Sequence, residues 1–263
     1  MTASFFQTLK TCKVRYLLIS GQAAVLYGAA TFSEDIDIWL QPTQKNLIRF
    51  INALKACRAR FYKITPPLTR KNLLRGHGFH FIIPSAGADD LFLDVMGVPP
   101  RSPAFTIALR RSMRMKTHWG ILPVISIPDL VEIKKTQRLE DYPVISRLVL
   151  RYRDFSNIRL DCRKTRWAMN NLFSFSSLYE FLQRNPETGR HLNVKGLAAM
   201  RLLADFIRRH QEPHAQLEQD IERRILHRIA VLQRKDRLYW RKIIAELKQF
   251  RSRGLLIPEG RRI

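Results

Sequence analysis

The sequence predicts an α/β (α+β) fold in which a sheet-containing domain is followed by a helical one. Short apolar runs, some with strict alternation as at 34–40, are typical of strands and occur only before residue 128. Apolar residues at helical spacing dominate 194–210 and 217–253. We therefore expect two domains, 1–156 and 157–263, with all strands in the first.

The elements of the first half are separated by short turn-forming stretches. Thr43 can cap the helix that follows the strand at 34–40, because its hydroxyl can accept a hydrogen bond from the first helical turn. Gly28 can end a preceding short helix, and Ile127-Pro128-Asp129 is a typical helix start. In chain order the predicted elements are helix 3–12, strand 14–19, helix 22–28, strand 34–40, helix 43–60, strands 79–83, 91–95 and 121–127, and helices 129–137 and 142–153.

Positive charge is spread over the whole chain. The 263 residues include 46 Lys and Arg against 22 Asp and Glu, a formal net charge of +24, and 1–156 and 157–263 hold 23 basic and 11 acidic residues each. A chain that is basic throughout favours a polyanionic partner, for which RNA, DNA or a nucleoside triphosphate are candidates. A general basic bias without functional meaning is the alternative.

Cysteine content and hydropathy bear on compartment. Cys12, Cys57 and Cys162 are scattered and show neither disulfide nor zinc-ligand spacing. No signal peptide is apparent, and no apolar stretch approaches the roughly 20 residues that span a bilayer. We expect a cytoplasmic protein that makes no membrane contact.

Three carboxylates stand on predicted strands. Asp35 and Asp37 alternate with apolar residues and project from one strand face, close enough to share a hard divalent cation. Asp94, between apolar neighbours on a later strand, can complete such a site. Two metal ions held this way would support phosphoryl or nucleotidyl transfer. A solvated strand edge is the alternative for an isolated Asp-x-Asp.

A glycine turn precedes the aspartate strand. Ser20-Gly21-Gln22 stands between a strand and a helix, where glycine lets the backbone approach a phosphate and the helix N-terminus offers N–H donors. The ordered set of strand, glycine turn, helix, Asp-x-Asp strand and Asp strand is more specific than any of its parts.

The segment YLLISGQAAVLYGAATFSEDIDIWL resembles the opening signature of the polymerase-β nucleotidyltransferase superfamily. It is more narrowly similar to small prokaryotic nucleotidyltransferase-like proteins, including the AbiEii type of toxin. Such proteins tend to carry a Leu…Lys…Arg-x-x-Asp helix, which Leu130, Lys134, Arg138 and Asp141 match. The resemblance covers about 3–150 and implies a polymerase-β-like core with a mixed sheet.

The resemblance also implies roles for individual residues. Asp35, Asp37 and Asp94 would be catalytic and bind two Mg²⁺ ions, with Mn²⁺ as an alternative. The nucleotide would be bound by residues in the segments 20–33 and 134–138, namely Ser20, Gly21, Gln22, Ser33, Lys134 and Arg138. The expected partners are a nucleoside triphosphate and a cognate antitoxin. The acceptor would be RNA, such as a tRNA end, or a protein side chain.

Other interpretations of these residues stay open. The turn has Gln22 where Gly or Ser is usual, and the Arg that relatives often carry after Gly28 is missing. Lys134 could lie on a solvated face, and Arg138 could form an ion pair with Asp141. His80 is expected on a strand edge without a catalytic role. A catalytically inactive scaffold that binds nucleic acid or a protein partner is the alternative function.

Overall fold

A computed structural model describes residues 2–84, 90–156, 161–186, 188 and 198–263. In these ranges the fold is mixed α/β with a helical C-terminal region, as the sequence predicts, and every strand precedes residue 125. The turn predicted between the strands at 79–83 and 91–95 lies mostly outside the described residues. No helix in the described ranges combines the length and the apolar character needed to cross a membrane.

Within the described residues, seven strands form one mixed sheet in the order β3-β4-β5-β2-β1-β7-β6. The pairs β1/β7 and β2/β5 are parallel and the remaining four neighbouring pairs are antiparallel. The strands are β1 Tyr16–Leu18, β2 Ile36–Leu40, β3 Arg60–Phe61, β4 Gly78–Ile83, β5 Leu91–Met96, β6 Met113–Thr117 and β7 Gly120–Val124.

The helices include short connectors in the first half and longer elements in the second. Thr43 caps α3 as predicted, with its Oγ1 accepting from Asn46 N at 3.3 Å. The helices are α1 Thr2–Thr11, α2 Ser20–Leu26, α3 Gln44–Ala56, α4 Arg70–Leu74, α5 Phe105–Arg111, α6 Ile127–Ile133, α7 Asp141–Ser156, α8 Cys162–Asn171, α9 Phe175–Arg184, α10 Ala198–Arg208 and α11 Ala215–Ser252.

One face of the sheet is apolar and forms the core with α3. Phe79 and Phe81 on β4 and Leu93 and Val95 on β5 are fully buried, as period-two alternation requires for a strand with one covered face. Phe50 of α3 meets Phe81 edge-on, with ring centroids 6.0 Å apart. The opposite face of these strands carries half-exposed residues, and the candidate site lies there.

The β3 edge of the sheet is covered by the segment 255–263. Thr65 and Ile257 exchange backbone hydrogen bonds of 3.2 and 2.8 Å, and Phe61 N donates to Arg261 O at 3.0 Å. Arg60 and Arg262 stand opposite each other in an antiparallel bridge. The edge strand therefore has much of its backbone hydrogen bonding satisfied by residues about 200 positions later in the chain.

The chain forms two compact units, each drawn from separate stretches of the sequence, and the domain boundary at 156/157 stays a prediction. Unit 1 comprises Met1–Leu26, Ala30–Ile133 and Arg237–Ile263, and unit 2 comprises Tyr27–Ala29 and Lys134–Asp236. The helix α11 supplies residues to both. The sheet and the predicted carboxylate site belong to unit 1, whereas Lys134 and Arg138 belong to unit 2.

Two strands have no counterpart among the predicted elements, and several boundaries differ. β6 carries Arg114 and Lys116 on exposed positions and so lacks an apolar run, and β3 is only two residues long. The strand predicted at 14–19 is reduced to Tyr16–Leu18. The helical pattern at 217–253 is a single helix of 38 residues, followed by Gly254 at φ 63°.

Candidate active site

Asp37 and Asp94 stand side by side on neighbouring parallel strands. The register of β2 and β5 places Asp37 opposite Asp94 and Ile36 opposite Leu93. Because registered neighbours in a sheet project from the same face, both carboxylates lie on the face away from the buried Leu93 and Val95. Asp35 immediately precedes β2, so the structure brings the three predicted aspartates to one end of the β2/β5 pair.

The electrostatic environment of Asp35 reflects this grouping. Partial burial raises the pKa of the Asp35 carboxyl above its ordinary value of 3.8, and the negative charges of Asp94 and Glu34 raise it further. The positive groups of Lys63 and His80 act in the opposite direction without cancelling the effect. A group whose charged form is disfavoured by a second carboxylate gains stability when a cation approaches both.

The glycine turn packs directly against the segment that leads into β2. A Cβ on Gly21 would lie 2.2 Å from Ser33 Oγ and 2.9 Å from Ser33 Cβ, so only glycine fits without displacement. Gln22 Nε2 donates to Ser33 O at 2.7 Å, and Ser33 Oγ donates to Asp35 O at 3.2 Å. Packing and hydrogen bonds thus connect Asp35, through Ser33, to the predicted nucleotide-binding turn Ser20–Gln22.

The backbone at the turn is set by an unusual torsion angle. Ser20, the first residue of α2, has φ 56°, in the left-handed region that non-glycine residues seldom adopt. Just before it, Ile19 N donates to Asp37 O at 3.0 Å, which ties the end of β1 to the aspartate strand. The turn and the aspartates are therefore held together by backbone as well as side-chain contacts.

Lys134 and Arg138 direct their charges toward a single carboxylate. Lys134 Nζ donates to Asp141 Oδ1 at 2.9 Å and is buried, and Arg138 Nε donates to Asp141 Oδ2 at 3.2 Å. Burial raises the pKa of Asp141, but Lys134, hydrogen bonds from Thr136 and Lys134, and Arg138 together bring it below its usual value. The ion pair raised as an alternative for Arg138 is present, and a phosphate role for either residue stays a prediction.

His80 is the site residue that sequence reasoning missed. It stands opposite Asp94 in the β4/β5 register, and its Nδ1 lies 2.7 Å from Asp94 Oδ1. Both side chains keep about a quarter of their surface exposed, at 27% and 26%. The sequence does contain a signal for this pairing. Alternation in Phe-His-Phe and Leu-Asp-Val places His80 and Asp94 on the same, non-core face of a hairpin.

The aspartate carboxylates suit a hard cation, although they do not surround a single position. Carboxylate oxygens are the ligands that Mg²⁺ and Mn²⁺ prefer, and Asp37 offers them with Asp35 two residues ahead of it and Asp94 opposite it in the register. Within the described ranges, no group of three or more His, Cys, Asp or Glu is arranged to hold one ion. The residues therefore fit a metal held by two of them with further ligands from a bound phosphate.

Comparison with known proteins adds no relative. Neither the models of protein families nor the curated proteins yield a match to this chain. The functional assignment therefore depends on the residues themselves.

Proposed function

We propose that this protein is a metal-dependent nucleotidyltransferase that transfers a nucleoside monophosphate from a nucleoside triphosphate to a hydroxyl acceptor. The observation that carries the proposal is the parallel register of Asp37 with Asp94, with Asp35 directly ahead of it and the Gly21 turn packed against the intervening segment. Mg²⁺, when bound, would neutralise phosphate charge and lower the pKa of the attacking hydroxyl.

The chain's own residues have distinct tasks in the reaction. Asp35 and Asp37 would hold the cation and orient the triphosphate, and the Ser20–Gln22 backbone with Ser33 would border the phosphates. The acceptor oxygen bonds to the α-phosphorus, the bond from that phosphorus to the β-bridging oxygen breaks, and pyrophosphate leaves. The carboxylate of Asp94 takes the proton of the acceptor hydroxyl, and His80 Nδ1 at 2.7 Å orients that carboxylate.

Charge supports RNA as the acceptor. A net charge of +24 favours a polyanion over a neutral protein surface, and tRNA ends are one class of RNA that offers a terminal hydroxyl. With the toxin-like resemblance, this suggests growth control or phage defence, and an acidic antitoxin would be the matching protein partner.

A second candidate is an inactive scaffold that binds nucleic acid or a protein partner. The observation in its favour is that, in the described part of the chain, three potential ligands do not converge on one point. This candidate predicts RNA binding that is unaffected by loss of the aspartates, and no incorporation of nucleotide.

Incorporation of label distinguishes the two candidates. Each of the four α-³²P-labelled nucleoside triphosphates is incubated with Mg²⁺, total cellular RNA and protein, and either wild type or Asp35→Ala/Asp37→Ala. A matched control is Asp154→Ala/Asp220→Ala, which likewise removes two carboxylates, but in unit 2, where each forms an ion pair three residues away on its own helix. We expect label with wild type and the control, reduced by about a hundredfold or more in the site variant.

The negative outcome is equally informative. Absence of label with all four nucleotides, from protein shown to be folded by circular dichroism, would contradict the proposal and favour the binding scaffold. Label that persists in Asp35→Ala/Asp37→Ala would place the chemistry elsewhere in the molecule.

A further inference from the structure

The sheet face that carries Asp94 continues across β4 to β3 with an aromatic pair. On β5 the side chains of Phe92 and Asp94 share the non-core face, and across the hairpin they stand opposite Ile82 and His80. Tyr62, just after β3, donates its backbone N–H to His80 O at 2.9 Å. Its ring meets that of Phe92 at 4.7 Å and an angle of 61°, and both residues are half-buried.

Positive charge surrounds this aromatic pair. Lys63 Nζ lies 5.1 Å from the centre of the Tyr62 ring, and the same lysine lowers the pKa of Asp35, so its charge reaches the aspartates. Lys63 is exposed. A lysine therefore lies over one ring of the pair and is close enough to Asp35 for its charge to act on that carboxylate.

The β3 edge adds two arginines to the same face. Phe61 points into the core, where its ring packs on Phe81 at 5.1 Å, so its neighbour Arg60 must project from the opposite face. Arg262 is bridged to Arg60 across the covered edge, and both are exposed. Like charges directly opposite each other are destabilising, and an anion between them would remove that repulsion.

We propose that this face of β3, β4 and β5 binds the terminal nucleotides of a single-stranded RNA, with bases against Tyr62 and Phe92 and phosphates near Lys63, Arg60 and Arg262. The inference rests on the proposed function, for which it identifies the acceptor. Open sheet faces with aromatic residues and surrounding cations are a general way of binding single strands, because every base has a stacking face.

The strand order separates this subsite from the triphosphate. The Gly21 turn follows β1, whereas Tyr62 follows β3, and the order β3-β4-β5-β2-β1 puts Asp37 and Asp94 between them. With about 4.8 Å between neighbouring strands, β3 lies roughly 14 Å from β2. The triphosphate and the stacked bases can thus bind at the same time, with the acceptor's terminal hydroxyl reaching Asp94 from the β3 side.

Direct binding tests the proposal without any chemistry. Fluorescence anisotropy is measured for a 5′-fluorescein single-stranded RNA of eight nucleotides and mixed sequence, in the absence of Mg²⁺ and nucleoside triphosphate. We expect Tyr62→Ala/Phe92→Ala to bind about tenfold or more weakly, since stacked bases each contribute a substantial share of single-strand affinity. Tyr62→Phe/Phe92→Tyr, which preserves both rings, should bind like wild type.

A matched control uses another half-buried aromatic pair. Phe175 and Tyr179 on α9 have ring centroids 6.1 Å apart, and Phe175→Ala/Tyr179→Ala should leave RNA affinity unchanged. Equal weakening by both double variants, or no weakening by Tyr62→Ala/Phe92→Ala in folded protein, would overturn the proposal. Fold is checked by circular dichroism and by the affinity of the ring-preserving variant.

Salt dependence tests the binding of phosphate separately. The slope of log K against log salt concentration should become shallower by about 0.7 for each phosphate that Arg60→Gln or Lys63→Gln can no longer neutralise. An unchanged slope in both variants would contradict an interaction of these side chains with phosphate.

Two further arms separate this inference from the proposed function. Asp35→Ala/Asp37→Ala should keep RNA affinity, so a protein that binds RNA but incorporates no label would sustain the inference and refute the transferase. A fluorescent nucleoside triphosphate that loses affinity with Tyr62→Ala/Phe92→Ala, while RNA does not, would assign the aromatic pair to the triphosphate's base and overturn it.

Discussion

Gly21 is the residue whose missing side chain constrains the site most directly. Ser33 Oγ lies so close to Gly21 that a Cβ there would overlap it. The same hydroxyl donates a hydrogen bond to the backbone carbonyl of Asp35. A small change at position 21 is therefore passed to a predicted metal ligand through a single intermediate residue.

We expect Gly21→Ala to lower the free energy of unfolding by about 1–3 kcal/mol, because the added methyl group overlaps Ser33. Ser33→Gly in the same chain removes both overlapping atoms and should restore most of the loss. Urea denaturation of wild type, the single variants and the double variant measures this. If Ser33→Gly brings no recovery, the overlap with Ser33 is not the cause of the destabilisation.

At the scale of elements, β3 depends on a segment remote in sequence. On the side away from β4, its backbone partners are Gly260 and Arg261, and without them the sheet edge would present unpaired N–H and C=O groups. Exposed edges of this kind promote pairing with other chains.

Removal of 255–263 should therefore produce concentration-dependent self-association and a lower melting temperature. Size-exclusion chromatography with light scattering and thermal denaturation measure the two effects. Arg261→Ala/Arg262→Ala is the control, since it keeps the backbone bonds and should remain in the same oligomeric state as wild type. A truncated protein identical to wild type in both measurements would show that the edge needs no cover.

The sequence predicts an element well where its signal is local. Period-two alternation identifies β2, β4 and β5, and Thr43 marks the start of α3, because those patterns depend only on which face is buried. β6 shows charged residues at its outward positions and so lacks an apolar run. β3 has two residues and partners about 200 positions away, a relation that no local pattern contains.

The same distinction applies to the candidate site. Asp37 and Asp94 can be selected from the sequence because each stands between apolar strand residues, and Asp35 because it lies two positions before Asp37. The pairing of His80 with Asp94 requires the register of the β4/β5 hairpin, and the packing of Gly21 against Ser33 requires the path of the intervening loop. Register and loop path result from tertiary packing rather than from local preference.

At the scale of the whole molecule, two aspartates respond to pH in opposite ways. The pKa of Asp35 is raised, so its contribution to stability is present below the unfolded value of 3.8 and is lost as pH rises through the folded value. The pKa of Asp141 is lowered, so its contribution is present above 3.8 and is lost as pH falls through the folded value.

The stabilities of Asp35→Asn and Asp141→Asn should therefore differ from wild type with opposite sign at pH 7. Asp35→Asn should be more stable, whereas Asp141→Asn should lose about 3–5 kcal/mol because the buried Lys134 is left without a negative partner. The Asp35 difference should shrink as pH falls through the raised folded value toward 3.8, and the Asp141 difference should shrink as pH falls from 3.8 through the lowered folded value. Chemical denaturation at pH 7, 5 and 3 tests this, and differences of the same sign at pH 7 would refute it.

Unit 1 is discontinuous in sequence, and this sets an order of events during biosynthesis. A ribosome adding about 5–20 residues per second needs roughly 10–40 s to pass from Phe61 to its backbone partner Arg261. During that interval the nascent sheet has its strands but not the cover of its β3 edge, nor the arginine that faces Arg60. Completion of the proposed RNA-binding face thus waits until residues 255–263 have been made, so a chain stalled before them would carry the aspartates without Arg262 opposite Arg60.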